Sequence, residues 1–291
     1  MAFHPFLMTK LMLRSHRAPL TRTPGAVGLG FEDVAFAATD GVGLKGWFVP
    51  GGASPGPAIV FVHGWMWNRL GNVAGQTPVP DKDVDFLPAV KALHDAGYHV
   101  LLFDVRGHGE SEAGKGPQTY GPMESRDFVG AVQYLRTRAD VDGERIGAIG
   151  MSAGGNIVLY GVDAAQPIKA VLAVQPTRLI SFNTNFARTE LGPLGPALIK
   201  PVDLLYRLMR APLPSRQDPA IPARGLNGTV VQYVQGTGDQ WGELAVVEEF
   251  AAATPHTAGP VISYPSTERY SGYQYISERA EDVVAFFDHN L

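Results

Sequence analysis

Ser152 is the residue from which the chemistry of this chain can be built. It sits at the centre of Gly150-Met-Ser-Ala-Gly154. A serine hydroxyl attacks an acyl carbon only when a base removes its proton, so the string implies nucleophilic acyl chemistry and demands further residues. Gly-rich turns produce G-x-S-x-G by chance, and placement is what gives this one weight. Arg145 to Ile149 is a short apolar run that reads as a buried strand, and Asn156 to Ala165 has helical character. Strand, G-x-S-x-G, helix is the nucleophile-elbow arrangement. The serine occupies a strained turn, and glycines stand where a Cβ would collide with neighbouring backbone. The following helix aims its N–H groups and positive dipole end at the same point.

Two further stretches carry chemistry-bearing types after apolar runs. His63-Gly64 closes Pro57-Ala-Ile-Val-Phe-Val62, and Asp104-Val-Arg-Gly-His-Gly-Glu-Ser111 follows His99-Val-Leu-Leu-Phe103. With the elbow, these residues make the chain similar to the α/β-hydrolase superfamily from about Phe31 to the C-terminus. The nearest resemblance is to its serine aminopeptidase-like and dienelactone hydrolase-like branches. It implies an oxyanion hole formed by the N–H of Ala153 and that of Trp65, with Met66 as the fallback second donor. His63 is expected to brace its loop. Asp104 and Arg106 are expected to fix a tight Gly-rich turn, with His108 an outside candidate for chemistry. The resemblance places the acid after the seventh strand, where Gly236-Thr-Gly-Asp239 supplies Asp239.

The resembled families carry a histidine after the eighth strand, in a string like G-x-x-H-G-G-Y. This chain reads Ser266-Thr-Glu-Arg-Tyr-Ser-Gly-Tyr273. Alignment on the final Gly-Tyr places Tyr270 where the imidazole belongs. His256 precedes the last strand and His289 lies at the end of the terminal helix, so neither is expected to reach Ser152. A tyrosine titrates near about 10 and a neighbouring carboxylate raises it further, so Tyr270 is no ready general base. Loss of one triad member in serine proteases leaves roughly 10³–10⁴-fold catalysis over water, which keeps a slow hydrolase physically sound.

The elements that must hold these residues alternate along the chain. Phe31–Ala37 and Leu44–Val49, broken at Asp40-Gly41, read as an antiparallel hairpin. Strands at 57–62, 99–104, 145–149, 168–174, 228–234 and 261–264 are interleaved with helices at 86–96, 125–138, 156–165, 243–253 and 277–287. Such alternation predicts the α/β class: a doubly wound, mostly parallel sheet with ligand sites at the carboxyl ends of its strands. Trp65–Asp85 is a long aperiodic loop, and such loops are more often functional than idle. Residues 176–224 break the alternation with many prolines and one helical stretch at 201–209, and are expected to form a helical cap over the site. The expected division is therefore an N-terminal helix and linker at 1–30, a core at 31–175 and 225–291, and a cap at 176–224.

Composition narrows the classes. A hydrophobic content of 45% with 18% charged residues is that of an ordinary globular protein, and a net charge of −4 offers no basic field for nucleic acid. With no cysteine, neither disulfides nor a thiolate metal site can form. No metal-ligand spacing and no phosphate loop stands out, so no cofactor is expected. Met1–Leu13 is apolar but interrupted by His4, Pro5 and Lys10, and too short to span a bilayer. It is expected to form an amphipathic helix packed on the domain or over its pocket, without stable membrane insertion, in a cytoplasmic protein.

The function implied is a serine hydrolase acting on carboxylic esters or related acyl compounds through a Ser152 acyl-enzyme, impaired by the missing histidine. The substrate is expected to be small and hydrophobic, contacted by Met66 and Trp67. Two alternatives stand beside it. One is a lyase, isomerase or cyclase on the same fold, with Tyr270 as acid or hydrogen-bond donor. The other is a non-catalytic small-molecule binder.

Overall fold

The computed structural model describes residues 12–52, 54–76 and 81–291. The expected N-terminal helix falls largely at residues 1–11, outside the described residues. Eight strands form one sheet: β1 (Glu32–Ala37), β2 (Gly43–Val49), β3 (Gly56–Val62), β4 (His99–Phe103), β5 (Val141–Met151), β6 (Ala170–Val174), β7 (Val230–Gly236) and β8 (Ile262–Tyr264). Their spatial order is β1-β2-β4-β3-β5-β6-β7-β8. β1 and β2 pair antiparallel, with Val34 opposite Gly46, and β2 pairs antiparallel with β4. All other pairings are parallel. Order reverses direction around β3, the switch point where α/β sheets place ligands beyond the carboxyl strand ends.

β3, β4 and β6 are buried along their whole length, as their unbroken apolar runs require of strands covered on both faces. One face is covered by α2 (Ser125–Thr137), α3 (Ala153–Gly161) and α6 (Leu244–Ala253), which contribute Phe128, Val132, Val158, Val247 and Phe250 to one core. The other face is covered by α1 (Leu87–Asp95) and α7 (Ala280–Asn290), through Val90, Leu93, Val283 and Phe287. Phe287 sits directly over Gly147 of β5, where an added Cβ would lie 2.7 Å from its ring.

The segment between β6 and β7 is helical. It holds α4 (Leu179–Leu191), a 3₁₀ stretch at Gly192–Leu198, α5 (Ile199–Leu208) and shorter turns. α4 leaves directly from the carboxyl end of β6 and turns Leu179 and Phe182 toward the Ser152 pocket. Most helices fall within one or two residues of the sequence expectation. Two do not: the elbow helix begins at Ala153, immediately after the serine, and ends four residues early at Gly161, and the closing helix lies three residues later than expected at both ends, at Ala280–Asn290. Among the described residues no helix is long and apolar enough to cross a membrane.

Candidate active site

Ser152 lies between the last residue of β5 and the first of α3, with φ 54° and ψ −121°. Such a conformation is strained for a residue with a side chain, costing on the order of 1–3 kcal/mol, and persists only where the surroundings over-determine it. They do so here. The Ser152 N–H donates to Val174 O at 2.9 Å, and its carbonyl accepts from Gly155 N–H at 2.9 Å. Both flanking glycines are obligatory by contact. A Cβ on Gly150 would sit 2.6 Å from Gly154 O, and one on Gly154 would sit 2.0 Å from Val62 O. Asn156, one turn into α3, clamps the start of the following insertion. Its Nδ2 donates to Thr177 O at 2.9 Å, and its Oδ1 accepts from Thr177 N–H at 3.1 Å.

The loops after β3 and β4 meet behind the serine. His63 accepts the Val105 N–H at Nε2 (2.9 Å), which leaves Nδ1–H to donate to Gly64 O at 2.7 Å. His108 likewise accepts the Met66 N–H at Nε2 (3.3 Å) and faces Arg106 O through Nδ1 at 3.1 Å. Both rings are neutral braces. Burial pushes the His63 imidazole down to about 4 and that of His108 to about 3. Asp104 accepts from the Arg69 backbone N–H (2.8 Å) and from its guanidinium at Nη2 (2.8 Å), while Arg106 donates to Asp127 and Asp40. These charges fix the turn through Gly109, whose φ of +45° and approach to the Asp104 carboxylate exclude a side chain.

The expected oxyanion pair comes together at one cavity. A space of about 30 Å³ beside Ser152 is lined by Trp65, Tyr120, Ala153, Asn156, Thr177, Leu179 and Phe182. The fallback donor, the Met66 N–H, is already given to His108. Met66 and Trp67, expected to contact substrate, do not line this cavity. Both side chains are buried, and the Trp67 ring packs edge-on against Tyr273 at 4.9 Å between centroids.

Asp239 stands where the sequence placed the acid. Its Oδ1 accepts the N–H groups of Trp241 (3.0 Å) and Gly242 (2.9 Å), and its Oδ2 accepts from Gln235 Nε2 at 3.2 Å. The side chain bridging Asp239 to Ser152 is Arg269. Tyr270 is not in that place. The Arg269 Nη1 donates to Asp239 Oδ2 in a short charge-assisted contact, and its Nη2 donates to Ser152 Oγ at 3.0 Å. Tyr270, one residue further on, is buried near the Trp67 ring at 6.5 Å between centroids. The alignment on Gly-Tyr is thus displaced by one residue, and the cause is local. Glu268 caps the short helix Arg269–Gly272 by accepting the Tyr270 and Ser271 N–H groups, while Gln175 Nε2 donates to Arg269 O at 3.0 Å. That cap makes residue 269 the first of the turn and directs it at the elbow. A Glu-x-x-Ser capping box at 268–271 is the sequence signal that marks this start.

Arg269 is buried against the faces of Phe182 (5.1 Å) and Tyr273 (5.5 Å). Burial works against its charge, but the Asp239 carboxylate more than offsets this, and the guanidinium is held protonated even more firmly than usual. The Tyr273 hydroxyl lies beside Ser152 without ordinary hydrogen-bond geometry, and burial raises its pKa well above the usual phenol range, with the Arg269 charge opposing. Among the described residues, no imidazole or carboxylate accepts from the Ser152 hydroxyl. His256 meets the first residues of β7, at the opposite end of the sheet from Asp239, and His289 lies in the last turn of α7. A guanidinium has donors only and cannot take up a proton. Among the described residues the arrangement offers a cationic donor to the Ser152 oxygen and no base.

Known proteins resemble this chain in sequence and in fold. The protein YfhR of Salmonella typhimurium is 32% identical over 161 residues, covering 54% of this chain and 49% of YfhR. The thiohydrolase aneE of Aspergillus aculeatus is 29% identical over 146 residues, or 50% of this chain and 42% of aneE. The chain thus spans about half the length of these curated relatives. A Pyrococcus furiosus esterase structure superposes with a TM-score of 0.71 at 21% identity, covering 96% of this chain and 98% of the esterase, a likeness of fold. The pattern that defines the alpha/beta hydrolase family matches residues 59–285, from β3 through most of α7, and the chain belongs to that family.

Proposed function

We propose that the protein acts on a small carboxylic ester or related acyl compound through Ser152, and that its turnover is limited by hydroxide because the base position holds Arg269. The carrying observation is the 3.0 Å contact from Arg269 Nη2 to Ser152 Oγ in a site otherwise arranged for acyl transfer. The strained elbow, with Ala153 and Trp65 at one cavity, supports attack on an acyl carbon and stabilisation of the resulting oxyanion. The esterase-like fold and the thiohydrolase among the relatives point to the same class. In this reading the protein is cytoplasmic and needs no cofactor. The guanidinium stabilises the Ser152 alkoxide once formed, and the proton leaves to hydroxide or to a basic group of the substrate.

The test is p-nitrophenyl acetate hydrolysis from pH 6 to 10 by the protein and by Ser152→Ala, with fluorophosphonate labelling alongside. A Ser152-dependent rate that climbs about tenfold per pH unit is expected, since the alkoxide fraction scales with hydroxide well below its pKa. A fast rate at pH 7 that levels off would mean that a base does reach Ser152.

A second reading rests on the same contact. The guanidinium and the backbone donors can polarise a substrate carbonyl with no proton taken from Ser152, as a non-hydrolytic enzyme or a binder would require. Arg269 takes the donor role that the sequence assigned to Tyr270. Absence of labelling at every pH, with retained ligand binding, would favour it.

A further inference from the structure

We propose that the outer face of α5 docks on a membrane surface that carries anionic lipid. The inference does not depend on the chemistry at Ser152. Six large apolar side chains are exposed among the described residues, and four of them, Leu194, Leu204, Leu208 and Met209, belong to the segment between β6 and β7. Scattered singly, such residues need no explanation, but a cluster of them marks a contact surface. Leu204 and Leu208 are 57% and 71% exposed and lie one turn apart on α5, so they share a face. The buried side of the helix is set by Tyr206, which is fully enclosed. At about 100° per residue Tyr206 stands roughly 200° around from Leu204, so the two leucines point away from the protein body. Leu194 belongs to the 3₁₀ stretch that packs beside α5, and Met209 directly follows the helix.

The charge of the same surface selects its partner. Residues 176–224 hold seven basic and three acidic residues, in a chain whose net charge is −4. Arg207 and Arg210 are exposed beside the leucines, and neither makes an ion pair among the described residues. Asp203, one turn before Arg207, accepts the Ser215 N–H at 3.3 Å. A second copy of this chain fits such a surface poorly, because a symmetric contact would set these arginines against their own copies. An anionic bilayer meets both features at once. The leucines enter the boundary between headgroups and acyl chains, and the arginines reach lipid phosphates with their stems lying along apolar surface. The contact is peripheral. α5 is 10 residues long and already packed on one side, so it lies on the bilayer and does not cross it.

The experiment is co-sedimentation of the full chain with phosphatidylcholine vesicles, with and without phosphatidylglycerol. Binding is expected to the phosphatidylglycerol-containing vesicles, to be weak on phosphatidylcholine alone, and to fall steeply when salt is raised to about 0.5 M. The double variant Arg207→Gln with Arg210→Gln should bind the anionic vesicles roughly twentyfold more weakly, at about fivefold for each arginine. Leu204→Ser with Leu208→Ser should weaken binding about tenfold or more, and its circular dichroism and urea denaturation should match those of the unaltered protein. Failure of the unaltered protein to bind anionic vesicles overturns the proposal. So does equal binding to both kinds of vesicle, or binding that both double variants retain. Sedimentation velocity separates the other occupants. A dimer that Leu204→Ser with Leu208→Ser dissolves would assign the face to a second copy. A loss of stability in that variant, with no vesicle binding by the unaltered protein, would assign it to another part of this chain. Either result overturns the membrane assignment.

Discussion

On the acyl-transfer reading, Arg269 and Ser152 decide the chemistry at the scale of single residues. In a serine hydrolase the group between acid and nucleophile must gain a proton in the first step and return it in the second. Arg269 can do neither, yet it satisfies both neighbours, pairing with Asp239 and donating to Ser152 Oγ at 3.0 Å. Arg269→His would place an imidazole beside a carboxylate whose other partners, the Trp241 and Gly242 N–H groups, are already in position. We expect the Ser152-dependent rate at pH 7 to rise by roughly 10²–10⁴-fold, the usual worth of general-base catalysis. The pH profile should change shape as well, levelling off above an apparent pKa of about 6.5–7 in place of a steady climb. A folded Arg269→His protein with the original slope and rate would show that the missing base is not what limits this site. Removal of the cation has a separate consequence. Arg269→Met leaves the buried Asp239 carboxylate without its countercharge, a change that typically costs about 3–5 kcal/mol, and urea denaturation should show a loss of that order.

Elements, more than side chains, hold the nucleophile in its strained turn. α3 approaches the end of β3 so closely that Gly154 meets Val62 O and His63 O. Gly154→Ala must push α3 away from β3 or distort the elbow. The expected cost is about 3 kcal/mol by urea denaturation, toward the upper end for overpacking, with loss of fluorophosphonate labelling. A stability change below about 0.5 kcal/mol would mean that the close approach is not required. The same close approach explains why the elbow could be read from sequence, since sterics admit only glycine on either side of the serine. β3, β4 and β6 were legible for a related reason: strands covered on both faces show unbroken apolar runs. The side chain facing Ser152 from the last loop was only half legible. The Glu268 cap that starts its turn leaves a local signal at 268–271, but Gln175 reaching Arg269 O across 94 residues of chain leaves none. Met66 and Trp67 were misplaced on similar grounds. Apolar residues beside an oxyanion loop suit a pocket or a core equally well, and only the packing of Tyr273 and Phe86 against Trp67 decides it.

Over the whole molecule, the loops after β3 and β4 are joined by neutral buried histidines, which makes the fold sensitive to acid. Each imidazole accepts a backbone N–H, so protonation would break a bond as well as bury a charge. Burial lowers both pKa values, His63 to about 4 and His108 to about 3, with Arg69 adding to the depression at His63 and each ring's own carbonyl contact opposing it. In the unfolded chain both titrate near about 6.5. Between the two values the unfolded state therefore binds more protons than the folded one, and stability falls as pH falls through this window. Asp127, pushed up to about 6 by burial against the pull of Arg106, acts in the opposite sense and begins to do so within the same window. Between pH 7 and 6 the two rings together should remove about 1.4 kcal/mol of unfolding free energy, half of it from each, and Asp127 should return about 0.4 kcal/mol. Urea denaturation at pH 7 and pH 6 measures the net loss. His63→Asn should reduce that loss by about 0.7 kcal/mol, whatever it does to stability at pH 7. If that variant keeps the full slope, His63 is not the neutral brace that its contacts with Val105 and Gly64 describe.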